Sequence, residues 1–76
     1  MWMSEILVVI NSKNVDANGL RDIAGAIEYL GANSVEVDEG AATVTATVPS
    51  SSVPTIHLIE GVTYVRPTLT YYRKAG

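Results

Sequence analysis

The sequence predicts an α+β domain, a four-stranded antiparallel sheet with two helices on one of its faces. Three observations carry that expectation. Apolar residues alternate with polar ones in two short stretches, run uninterrupted in a third near the start, and recur at helical spacing in two others, and with a last strand the order is β-α-β-β-α-β. Glu39-Gly40, a turn signal, separates the second and third strands and marks a hairpin at the middle of the chain. Seventy-six residues without cysteine make one domain, stabilised by its core without disulfides, that buries only about 60–65% of its unfolded surface.

Glu5-Ile-Leu-Val-Val-Ile-Asn11 reads as the first strand, closed by the turn-forming Asn-Ser-Lys-Asn. Its uninterrupted apolar run suits a central position, with Ile6, Val8 and Ile10 on one side and Leu7 and Val9 on the other. Asp16 is a good N-cap, and Leu20, Ile23, Ala24, Ile27 and Leu30 follow at the 3.6-residue period, which predicts a helix over 16–30 ended by Gly31. Gly19 and Gly25 weaken that helix by up to ~1 kcal/mol each, and Gly25 is expected to let it approach the sheet closely. In Ser34-Val-Glu-Val-Asp38, Val35 and Val37 should point inward and Glu36 and Asp38 outward.

The third strand spans 42–48, where Thr43, Thr45 and Thr47 alternate with Val44, Ala46 and Val48, and Pro49 ends it for want of an N–H. Ser50, Ser51 and Ser52 are candidate caps for a short helix with Pro54 in its first turn, a stripe of Val53, Ile56 and Ile59, and Gly61 as its C-terminal cap. The last strand covers 62–66. This order matches the ferredoxin-like split-βαβ arrangement, with strands one and three central and two and four at the edges. Pro67 is tolerated at an edge, and Glu36 and Asp38 discourage pairing at the other.

With both helices on one face, the other carries Leu7, Val9, Thr43, Thr45, Thr47, Glu36 and Asp38. If Val65 faces the core, Tyr64 and Arg66 join them. Such a face reads either as an ordinary solvated sheet surface or as a docking surface with aliphatics at its centre and charges at its rim. Residues 68–76 are read as a C-terminal tail.

Composition narrows the function. A net charge of −3 and a pI of about 4.8 argue against nucleic acid as the main partner. The first and third strands also lack the aromatics on which an RNA-recognition domain stacks bases. Arg66, Arg73 and Lys74 crowd the last eleven residues, as a solvated tail or a phosphate-binding arm. The five-residue apolar run 6–10 has no basic residue before it and is too short to span a bilayer, so neither a signal peptide nor a membrane partner is expected. The chain is expected to be cytoplasmic, or a secreted or mature fragment. His57 is the only histidine, with neither cysteine nor a second histidine to share a metal, and reads as a surface or half-buried helical residue. Glu36, Asp38 and Glu39 lack calcium-loop spacing, and no phosphate-cradling glycine motif is present. The expectation is a binding protein rather than an enzyme, with no cofactor.

The pattern Ala42-Thr-Val-Thr-Ala-Thr-Val-Pro49, a short helix, then Glu60-Gly-Val-Thr-Tyr-Val-Arg-Pro67 resembles the propeptide domain of subtilisin-like serine proteases and the free-standing inhibitors related to it. The likeness covers residues 42–74, and the first half only through topology. It implies a foldase or tight inhibitor whose open sheet face packs on two protease helices while its tail lies in the substrate cleft like a product, an addition that draws affinity from main-chain hydrogen bonds. By family spacing Lys74 would fall near the primary specificity pocket and Tyr71 in an apolar pocket, with Arg73 between them and Tyr72 replacing Tyr71 if the register slips. Adjacent tyrosines also have a plain reading, one ring packed on the domain's own edge. The family places an acid after Tyr-Val, facing protease helix N-termini, where this chain has Arg66. A cation there costs ~0.3–1 kcal/mol. The alternative reading is a small regulatory domain that forms a homodimer through its open sheet faces.

Overall fold

The computed structural model describes residues 1–74. Its elements are β1 (Trp2–Ile10), α1 (Ala17–Tyr29), β2 (Asn33–Asp38), β3 (Thr43–Pro49), a 3-10 turn (Ser50–Ser52), α2 (Val53–His57) and β4 (Val62–Tyr72). The strands form one antiparallel sheet in the order β2-β3-β1-β4, an α+β architecture compatible with the ferredoxin-like arrangement. β1 and β3 are central, and β2 and β4 are the edges.

One core holds the two layers together. Ile6, Val8 and Ile10 of β1 and Val44, Ala46 and Val48 of β3 meet Leu20, Ile23, Ala24 and Ile27 of α1 and Ile56 of α2 in a single buried cluster, so both helices lie on the same side of the sheet. α1 starts where the sequence predicts. Asp16 is the N-cap, its Oδ1 accepting from the Gly19 N–H at 2.8 Å, and the residue after the Leu30 C-cap, Gly31, takes a φ of 93° that favours glycine. Gly61 likewise has a φ of 95° after α2, and its carbonyl accepts from Asn11 N–H at 2.9 Å, which ties the start of β4 to the end of β1.

Several expectations are corrected. β1 begins at Trp2 rather than Glu5, and β4 runs to Tyr72 rather than stopping at Arg66. Pro67 does not end the strand because β4 is an edge. The register slips by one between the Ile6–Pro67 and Glu5–Leu69 pairs, leaving Thr68 as a bulge beside the proline, and pairing resumes beyond it. The Thr68 hydroxyl donates to the Glu5 carbonyl at 3.1 Å across that bulge. Residues 68–72 of the expected tail are therefore strand, while Ala75 and Gly76 lie outside the described residues.

Gly25 serves no close approach, since nothing lies within 4 Å of where its Cβ would be. The serines do not cap α2. Ser52, its N-cap residue, instead donates to the Leu30 carbonyl at the end of α1 (3.3 Å), and the Ser50 hydroxyl meets that of Ser4. Val37 pairs with buried Val44 but stays 38% exposed, because it sits on the outermost strand. The hairpin turn occupies four residues, 39–42, closed by the Ala42 N–H donating to the Glu39 carbonyl.

Candidate docking face

Residues paired across an antiparallel ladder point to the same side of a sheet. The registers therefore set out the face away from the helices as rows running from β4 across β1 and β3 to β2. The first is Tyr64, Val9, Thr43, Asp38; the second is Arg66, Leu7, Thr45, Glu36. The third is Leu69, Glu5, Thr47, Asn33, and the fourth, at the far end, is Tyr71, Met3, Pro49.

The first three rows bring together all nine residues assigned to this face from sequence: Leu7, Val9, Glu36, Asp38, Thr43, Thr45, Thr47, Tyr64 and Arg66. The open parity of the last strand resolves with Val65 packed against the core, so that Tyr64 and Arg66 turn outward. Leu7 and Val9 are half-buried at the centre, and no helix lies over them. Threonine flanks them on one side, Tyr64 and Arg66 on the other. The acids Glu36 and Asp38 occupy one edge and Arg66 the opposite one, three strand spacings or about 14 Å apart, too far for an ion pair. Among the described residues the ion pair present is Arg21 to Glu39 at 3.0 Å, which is solvent-exposed and worth little.

Sequence reasoning missed Met3, which is buried, and Leu69 because it began β1 late and ended β4 early, and it left Glu5 unassigned although that residue shares the parity of Leu7 and Val9. The signal was present, since Thr-Leu-Thr-Tyr-Tyr after Pro67 is all β-branched, aromatic or leucine.

The four residues assigned to a protease-contacting tail are placed otherwise than expected. Tyr71 sits in the fourth row opposite Met3, and Tyr72 turns to the helix side with its ring 5.4 Å from that of Trp2 in an edge-on contact at 76°. This matches the plain reading of the tyrosine pair. Arg73 donates its N–H to the Met1 carbonyl at 2.7 Å, and the terminal ammonium donates to the Arg73 carbonyl at 3.0 Å. Residues 71–73 are thus bound to β1 rather than loose, which corrects the expectation of a free extended tail. Lys74 follows, exposed.

His57 is exposed on α2, on the other side of the sheet from these rows. Among the described residues no three His, Cys, Asp or Glu side chains group as a metal site, and no helix is long and apolar enough to cross a membrane. Comparison with known proteins found no match to a family model, to a curated protein or to a solved structure.

Proposed function

We infer that the chain is a ferredoxin-like protein-binding domain that docks its bare sheet face on a subtilisin-like serine protease, as an inhibitor or folding aid. One observation carries the reading: the half-buried Leu7 and Val9 lie at the centre of a face that no helix covers, rimmed by charges of both signs. The resemblance of residues 42–74 to subtilisin propeptides supplies the partner class. Substrate-like entry of Tyr71, Tyr72, Arg73 and Lys74 into the cleft would first require the last pairs of the β1–β4 ladder to open. Each bond so lost is worth about 0.5–1.5 kcal/mol net, small against the roughly 8–12 kcal/mol of a micromolar to nanomolar complex.

The test is inhibition of a subtilisin by the purified chain, alongside Leu7→Asp, which places a charge at the centre of the face. Slowing of the protease by the parent chain and not by the variant supports the reading. A parent chain that leaves the protease at full rate at micromolar concentration ends it.

A second reading is favoured by the position of the charges. Stacking two copies face to face about a two-fold axis along the strands lays the β4 edge over the partner's β2 edge, so that Arg66 faces Glu36 and Asp38. Such a homodimer would hide Leu7 and Val9 and could not dock a protease there.

A further inference from the structure

We propose that the outer half of β4 is a self-association edge, through which two copies of this chain join their sheets into one of eight strands. The surface is distinct from the open face and is made of backbone. In an antiparallel ladder, pairs that exchange both N–H···O bonds alternate with pairs that exchange none. Met1 and Arg73 exchange both, so Tyr71 and Leu69 also turn their backbone groups to β1. The N–H and C=O groups of Thr70 and Tyr72 then point away from the sheet, along an edge that nothing among the described residues covers.

Edge strands are ordinarily blunted by charge, proline or a bulge. The inner half of β4 has all three in Arg66, Pro67 and Thr68, and β2 carries Glu36 and Asp38. Leu69, Thr70, Tyr71 and Tyr72 have none of these and combine strong strand formers. At this end β3 stops at Pro49, opposite Met3, so at Trp2 and Tyr72 the sheet is only two strands wide. Two strands alone are marginal in water, and Tyr72 is 60% exposed, Leu69 54% and Trp2 57%.

The occupant that fits is a second copy. A two-fold axis perpendicular to the sheet through Tyr71 pairs Thr70 with the Tyr72 of the other copy, twice, which satisfies all four outward N–H and C=O pairs of these residues. It sets Tyr71 against itself and Arg73 against Leu69, and brings no like charges directly opposite one another. Glu5 lies in the same row as Leu69, so Arg73 of one copy meets an acid of the other about 10 Å away between Cα atoms, within reach of the two long side chains. Both open faces then look to the same side and stay free.

Sedimentation of the full chain at submillimolar concentration tests this, with Thr70→Pro as the variant. That proline removes an N–H that β1 does not use and is tolerated at an edge. The parent chain is expected at twice its 8.1 kDa mass and the variant at 8.1 kDa with an unchanged far-ultraviolet spectrum. Hydrogen exchange on the parent chain gives a second reading that needs no variant: the Thr70 and Tyr72 amides should slow by at least about tenfold as concentration rises. A parent chain that stays monomeric overturns the proposal, whatever else binds that edge. A dimer that persists in folded Thr70→Pro, or one whose Thr70 and Tyr72 amides exchange freely, also overturns it and points to pairing through the open face.

Discussion

The hydroxyl oxygens of Ser4 and Ser50 lie 2.7 Å apart, at a β1 position that shares its side of the sheet with Ile6 and Val8. Ser4 is only 3% exposed, and its hydroxyl also lies 3.2 Å from that of Thr70. The bond joins β1 to the turn that leaves β3, where Pro49 has ended the ladder. Ser4→Ala and Ser50→Ala should each lower stability by about 0.5–1.5 kcal/mol, and the double variant by less than their sum because the shared bond is lost once. Urea unfolding of the four proteins measures this, and strictly additive effects would show that the two hydroxyls do not interact.

Gly61 and Gly25 should respond to alanine with opposite signs. At Gly61 the φ of 95° disfavours any side chain, and a Cβ would sit 2.8 Å from Val15 Cγ2 and 3.2 Å from Ile23 Cδ1. Gly61→Ala is expected to cost about 3 kcal/mol, a large part of the roughly 4–11 kcal/mol available to a chain of this length. Gly25 stands inside α1 with open space around it. Gly25→Ala should add about 0.5–1 kcal/mol by removing backbone freedom from the unfolded chain. Thermal unfolding separates the two.

Trp2 is the only tryptophan and touches Tyr72, so its fluorescence reports the outer end of the β1–β4 ladder. Tyr72→Ala should shift Trp2 emission while lowering global stability by at most about 1.5 kcal/mol. If a protease draws residues 71–74 into its cleft, the same shift appears on binding. Inhibition with unchanged emission would mean that the sheet face binds while the ladder stays closed.

Arg66 stands at the β4 edge of the open face, and on the proposed function it takes the place of an acid. Arg66→Glu exchanges a charge that helix N-termini disfavour for one they favour, at about 0.3–1 kcal/mol for each sign. On the proposed function the variant inhibits more tightly, by roughly three- to thirty-fold in the inhibition constant. Weaker inhibition by the variant would show that Arg66 does not face a helix N-terminus.

Much of this arrangement was legible in the residues. The 3.6-residue stripe from Leu20 to Leu30 and the capping Asp16 place α1 within a residue at each end, because a helix is a local structure whose period and caps are local too. The threonine alternation likewise marks the outward face of β3. Pro67 reads as tolerable at an edge, yet the last strand is expected to end before it, because how far an edge strand runs past a proline depends on the neighbour it pairs with beyond the bulge. The serines misled for a similar reason. Their hydroxyls had partners outside the helix they precede, at Ser4 and the Leu30 carbonyl.

By itself the sequence determined the order and kind of the elements and which side of β2 and β3 is apolar, since these follow from periods of two and 3.6 along a short stretch of chain. Tertiary structure decided what those patterns could not. Pairing with β1 carries β4 past its proline to Tyr72, holds Arg73 against Met1, and turns the amides of Thr70 and Tyr72 away from β1. The physical reason is that a strand's extent and its free edge are properties of the neighbour it pairs with, and that neighbour lies some seventy residues away in the chain.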